Sequence, residues 1–208
     1  MMGWYDDHVV PRLIKCACSS PAIMQLRQQV VPLASGAVFE LGCGGGINQQ
    51  FYDPARVTSY AGMDPSAKGR DYALAAAQNA GRAADIRGGV GEAIPYGDAS
   101  FDCVVCTFTL CSVDDPAQVL RELRRVLKPG GRLLYAEHGR APDAGVAKWQ
   151  DRIEPVWKRI AGGCHLTRPI GLAIATDGFE VVALGARYAA KTPRFAGWME
   201  WGEAHKLA

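Results

Sequence analysis

Val38-Phe39-Glu40-Leu41-Gly42-Cys43-Gly44-Gly45-Gly46 is a short apolar run that holds one acid and then breaks into glycines. An apolar strand ending in Gly-x-Gly-x-Gly brings backbone close to a ligand, because a Cβ at those positions would stand in the way. Eighteen residues past Gly46, a second apolar segment ends in Gly62-Met63-Asp64-Pro65. The pair suits an adenosine-bearing ligand, with glycines along its spine and a carboxylate on its ribose hydroxyls.

Outward from this stretch, apolar runs alternate with helical patterns. The pattern over residues 5–33 is helical, with Val9, Leu13 and Ile14 on one face and a second helix from near Ala22. Residues 37–41 and 57–63 read as strands, 66–80 as an alanine-rich helix stopped by Gly81, and 85–90 as a short third strand. The continuous apolar run 101–108 is expected of a central parallel strand covered on both faces. Asp115-Pro116 caps a helix through Leu127 whose apolar residues recur at helical spacing. Lys128-Pro129-Gly130-Gly131 ends that helix, and 132–137 is the next strand. Residues 144–161 read as helix, 179–184 and 198–204 as two last strands. The implied architecture is α/β: a doubly wound, mostly parallel seven-stranded sheet with a C-terminal antiparallel hairpin.

With 208 residues, 49% apolar and 21% charged, the chain is sized for one well-buried domain. The expected division is a helical cap over 1–35 and a Rossmann-like core over 36–208. Disorder is excluded by composition. No apolar stretch reaches membrane-spanning length, and the first eight residues are acidic where a signal peptide is basic. A cytoplasmic chain without stable membrane insertion, monomeric or homodimeric, is expected. A net charge of +2 leaves no electrostatic footprint for nucleic acid. Of seven cysteines, Cys43, Cys103, Cys106 and Cys111 fall in segments read as buried strand or turn, and Cys16-Ala17-Cys18 lacks a second half to complete a zinc site. Reduced thiols and no metal are expected.

A glycine turn followed by an acid at the next strand end fits both dinucleotide dehydrogenases and S-adenosylmethionine enzymes. Glu40 favours the second: a carboxylate inside the motif suits an ammonium group and would repel a pyrophosphate. The segments 91–96, 100–102 and 128–131, and the final strand pair, point the same way.

Together, residues 40–46, 91–96, 100–113 and 120–131 resemble class I S-adenosylmethionine-dependent methyltransferases, including the ubiquinone/menaquinone-biosynthesis type. Val104–Val113, Glu137-His138, Trp149-Gln150, Pro155-x-Trp157 and Gly163–Arg168 resemble more narrowly the methyltransferase-like seven family, whose animal members are membrane-anchored thiol S-methyltransferases. The resemblance implies S-adenosyl-L-methionine as cofactor and a small-molecule acceptor, a thiol foremost. The alternative is an N- or O-methyltransferase on a small metabolite, natural product or lipid head group.

By the same resemblance, Glu40, Gly42, Gly44 and Gly46 form the methionine-side wall, and Asp64, followed by Pro65, accepts from both ribose hydroxyls. Gly91 and Glu92 border the adenine, where Val90 replaces the aspartate common in relatives. Cys106 and Thr107 face the methionine portion, with Cys111 just beyond. Candidate acid–base groups are His138 at a strand end, His165, and Tyr5 and His8 in the N-terminal helix. The lack of a Ser/His/Asp set suits a mechanism of proximity and water exclusion.

Overall fold

A computed structural model describes residues 20–207. Tyr5, His8, Cys16, Cys18 and the first expected helix lie outside them. The elements in chain order are α1 (Pro21–Val30), β1 (Gly36–Leu41), β2 (Val57–Met63), α2 (Ala67–Asn79), β3 (Ala84–Arg87), β4 (Phe101–Thr107), α3 (Pro116–Val126), β5 (Leu127–His138), α4 (Ala144–Ile160), α5 (Ile170–Thr176), β6 (Phe179–Tyr188), α6 (Arg194–Gly197) and β7 (Trp198–Lys206). Among the described residues the sheet has seven strands in the order β3-β2-β1-β4-β5-β7-β6. The β1–β2, β2–β3, β1–β4 and β4–β5 pairs are parallel, while β5–β7 and β6–β7 are antiparallel. The order reverses between β1 and β4, so the crevice beyond their carboxyl ends is where a ligand belongs in such a sheet.

Alternation along the strands divides the core. Phe39, Leu41, Val104, Leu133 and Tyr135 pack on one face with the α3 residues Val119, Leu120, Leu123 and Val126. Val38, Tyr60, Val105, Leu134 and Trp201 pack on the other with Leu26 and Val30 of α1. Helix α3 starts where Asp115 accepts the Gln118 N–H (3.0 Å), and Pro116 fills its first turn. Its four inward side chains are at most 1% exposed, each contributing ~1.5–3 kcal/mol by burial.

Several boundaries differ from the sequence reading, β6 running on to Tyr188 and β7 to Lys206 among them. The third strand stops at Arg87, and Gly89 beyond it packs so closely on Met63 that a Cβ there would stand 2.8 Å from Sδ. The Lys128–Gly131 stretch is the irregular start of β5 rather than a linker, its register shifting between Phe101 and Cys103. There Lys128 Nζ pairs with Asp102 at 2.8 Å, and Gly130 sits at φ +73°. After the glycine turn comes a five-residue 3₁₀ segment, Ile47–Phe51. Its Asn48 is drawn into a buried polar cluster with Glu40 and Thr107.

Candidate functional site

The glycine turn leaves β1 at the point of reversal. The Gly42 and Cys43 N–H groups both donate to the Met63 carbonyl (2.9 and 3.1 Å), which fixes the turn to the end of β2. Gly42, Gly44 and Gly46 all have positive φ (+72°, +38°, +67°), where a Cβ is strained. Their surroundings separate their tasks. A Cβ at Gly42 would lie 2.2 Å from Thr109 Oγ1, and one at Gly46 would lie 2.5 Å from Ala76 Cβ, so both are packing glycines. At Gly44 the nearest atom is Asp64 Oδ2 at 3.5 Å, so the turn is open there toward the carboxylate.

Asp64 joins the turn to α2. Its Oδ2 accepts the Gly44 N–H (3.0 Å) and its Oδ1 accepts the Ser66 N–H (2.9 Å). A carboxylate has about four acceptor positions, so each oxygen keeps one for a ligand hydroxyl. Burial raises its pKa, opposed by those two N–H groups and by Arg70. Pro65 beside it is exposed.

Glu40 is 2% exposed and is engaged beneath the turn. Oε1 accepts from Asn48 Nδ2, and Oε2 accepts from the Tyr52 and Tyr60 hydroxyls, all at 2.8 Å. The cluster continues through Thr107, whose Oγ1 accepts from Arg27 (2.6 Å) and Asn48 (3.0 Å). Burial pushes the Glu40 carboxyl up, and the hydrogen bonds and Arg27 pull it back. Its carboxylate therefore braces the turn from below. Cys106 and Thr107 also part company: as neighbours in β4 they face opposite sides of the sheet. Cys106 packs with Phe39 and Leu41, while Thr107 joins Arg27.

The loop after β4 is held by a residue the sequence reading assigned no role. Glu137, fully buried in β5, accepts the N–H groups of Thr109 (2.7 Å) and Leu110 (3.1 Å) on Oε1, and that of Cys111 (3.2 Å) on Oε2. Burial pushes its pKa up to about 7 against those three donors. From the other side, Arg168 Nη1 donates to the Leu110 carbonyl (2.7 Å). Phe108, at φ +56°, turns the chain out of the strand.

Cys111, His138 and Cys164 meet beyond this loop, with one ligating atom of each within 4.8 Å of the others. His138 Nδ1 is 3.3 Å from Cys164 Sγ, while Nε2 is buried without a hydrogen-bond partner among the described residues. Cys111 and Cys164 influence one another: the neighbouring Cys111 holds the Cys164 thiol well below its usual range, and Cys164 together with burial pushes the Cys111 thiol up. His165 stands apart: its backbone N–H donates to the Cys111 carbonyl (2.8 Å), and its ring Nδ1 is 2.8 Å from Glu154.

At one edge, then, the fold collects the glycine turn, Asp64, Cys111 and His138. It leaves Glu92 to the side, where Oε1 accepts the Asp114 and Asp115 N–H groups at 3.0 Å. Gly91 packs on Val119, whose Cγ2 would lie 2.9 Å from a Cβ there.

A methyltransferase-domain family model matches residues 39–135. Thiol S-methyltransferase TMT1B of Rattus norvegicus is 40% identical over 156 residues, 71% of this chain and 61% of that protein. Thiol S-methyltransferase TMT1A of Homo sapiens is 34% identical over 177 residues, 76% of this chain and 66% of that one. The chain thus spans just under two thirds of the length of these relatives. The crystal structure of YcgJ from Bacillus subtilis superposes with a TM-score of 0.69 at 16% identity, covering 90% of this chain and 98% of that one. With its reversed sheet, its antiparallel β7 and the matched segment, the chain belongs to the class I methyltransferases.

Proposed function

We propose that this chain methylates a small thiol with S-adenosyl-L-methionine as donor. The observation that carries the donor assignment is the opening at Gly44 beside a carboxylate with a free acceptor position on each oxygen. A ribose diol fits that pair of acceptors, and a glycine spine fits a ligand lying along it. Asp64 holds the ribose, the 42–46 turn passes under the methionine end, and Gly91 keeps the adenine side narrow. Glu40 and Glu92 act indirectly, bracing the turn and the 91–96 segment. Bound there, the donor would supply an electrophilic sulfonium methyl.

The acceptor reading rests on similarity to thiol S-methyltransferases over 71% and 76% of this chain. The local chemistry agrees. A thiol ionises near pH 8.5 and needs little help from a base. What the site must provide is alignment and dryness. Glu137 and Arg168 supply alignment by fixing Thr109–Cys111, and Leu110 and Cys111, 1% and 3% exposed, exclude water. Of the four acid–base candidates, His138 lies in this region, His165 is engaged by Glu154, and Tyr5 and His8 lie outside the described residues.

Incubation with labelled donor and a panel of alkyl thiols, amines and phenols tests the proposal. Labelled thioether is expected. Transfer confined to amines or phenols would remove the thiol assignment. Protection from thermal unfolding by a dinucleotide and not by S-adenosylhomocysteine would remove the donor assignment as well.

A further inference from the structure

We propose that Cys111, His138 and Cys164 form a three-ligand zinc site whose fourth position takes a thiol. Three different elements deliver the ligands: the loop after β4, the last residue of β5, and the segment between α4 and α5. Two thiolates and an imidazole are the donor set that zinc favours, and three protein ligands plus one open position is its usual arrangement in reactive sites.

The geometry already approaches that of a bound ion. With Zn–S of about 2.3 Å and Zn–N of about 2.0–2.1 Å, a tetrahedron sets S···N near ~3.6 Å and S···S near ~3.8 Å. The His138–Cys164 separation is 3.3 Å, and every pair lies within 4.8 Å. Side-chain movement on the order of an ångström closes the difference.

A second observation also calls for a ligand. His138 is only 6% exposed, and its Nε2 is buried with no hydrogen-bond partner among the described residues. With Nδ1 turned to Cys164 and taken by the metal, Nε2 carries the ring proton, and that buried N–H, costly to leave unpaired, is open to an acceptor group of a bound ligand. The surroundings hold the ligands in place: Glu137 fixes the backbone of Cys111, and His138 is itself the end of a central strand. The cluster also neighbours the donor site, since Thr109, two residues before Cys111, packs directly on Gly42.

The chemistry balances without an oxidant or reductant. When Zn2+ binds, each cysteine sulfur forms a Zn–S bond as a thiolate, and its thiol proton is released to solvent. A thiol entering the fourth position forms a further Zn–S bond and also releases its proton, because metal coordination deprotonates a thiol. The metal-bound sulfur is then an anionic nucleophile at neutral pH. This last role rests on the thiol-acceptor function proposed above, while the metal site does not.

The full chain, purified under reducing conditions with zinc in the growth medium, is expected to carry one equivalent of zinc by elemental analysis. Cys111→Ser, Cys164→Ser and His138→Ala are each expected to lose it, whereas Cys103→Ala, near the opposite end of β4 from the cluster, keeps it. Reconstitution with Co2+ is expected to give thiolate-to-cobalt charge-transfer absorption that changes when a small alkyl thiol is added. A full chain that binds no more zinc or cobalt than the Cys111→Ser/Cys164→Ser double variant overturns the site. So does intact mass showing a Cys111–Cys164 disulfide in the reduced preparation. A cobalt spectrum indifferent to a thiol that the enzyme does methylate overturns the fourth-position role. Stoichiometric metal in a chain that methylates no thiol instead overturns the proposed function and leaves the site standing.

Discussion

Glu137→Gln isolates one hydrogen bond in the arrangement that positions the loop after β4. The native carboxylate takes three backbone N–H groups, two on Oε1 and one on Oε2. A glutamine oxygen in the Oε1 position can still accept from Thr109 and Leu110. Its amide nitrogen then faces the Cys111 N–H, donor against donor. One buried N–H without a partner costs ~1–3 kcal/mol, which for a chain of this length lowers the melting temperature by roughly 2–12 °C. Relief of the buried charge acts in the opposite direction, so the lower part of that range is expected. Glu137→Ala leaves all three N–H groups without their acceptor, ~3–9 kcal/mol, comparable with the whole stability of a domain at ~5–15 kcal/mol. At that size the loop leaves its place to find water, or the fold fails. Thermal melts combined with hydrogen exchange by mass spectrometry over residues 107–113 provide the assay. Exchange should accelerate locally in the glutamine variant and much more in the alanine variant. A glutamine variant that melts and exchanges like the parent would show that Glu137 does not hold the loop. So would an alanine variant less perturbed than the glutamine one.

Asp64→Ala should weaken binding of S-adenosylhomocysteine by ~1–3 kcal/mol, about 5–150-fold in Kd; an unchanged calorimetric Kd would leave Asp64 as a brace of Gly44 and Ser66 alone. Tyr60→Phe removes one of three donors to buried Glu40 and should cost ~1–3 kcal/mol in urea unfolding, but less in a Glu40→Gln background; equal costs in both backgrounds would mean that the two side chains are not coupled. Gly46→Ala and Gly81→Ala share nearly the same φ (+67° and +68°), but only the first meets a neighbour, at 2.5 Å. Gly46→Ala should therefore be the more destabilising by ~1–3 kcal/mol of overpacking, and equal melting points would contradict the packing. Glu122 has its pKa lowered first by the Arg125 hydrogen bond. Its contribution is therefore present above the unfolded-state pKa and is lost as pH falls through the lower folded-state value. Glu122→Gln should be less stable than the parent at neutral pH and converge with it in acid, and a constant difference across that range would refute the linkage.

The parallel strands were legible because burial on both faces writes a continuous apolar run, as in 101–108. The glycine turn was legible because positive φ at Gly42, Gly44 and Gly46 leaves few alternatives to glycine. Asp64 could be read from its place at a strand end. Glu40 was singled out correctly as unusual, but its environment was not readable, since Tyr52 and Tyr60 reach it from 12 and 20 residues away. Glu137 went without a role for a related reason. Its partners are backbone N–H groups, which every residue but proline carries, so no residue type in 109–111 announces them.

The cysteines make the sharper case, because in them sequence spacing and spatial proximity disagree. Cys103-Val104-Val105-Cys106 has the separation of a metal-binding or redox pair, yet it lies within β4. A strand turns residues three apart to opposite faces, and the two sulfurs pack in different halves of the core. Cys111, His138 and Cys164 have no motif spacing, being 27 and 26 residues apart, and they converge within 4.8 Å. Their meeting is a product of topology: parallel β4 and β5 bring their carboxyl ends side by side, and the chain returns past α4 to the same edge. The placement of two thiols and an imidazole near the glycine turn is thus a property of the sheet order. The same order that brings Asp64 against the glycine turn brings three zinc-favouring side chains together at the carboxyl ends of the neighbouring strands.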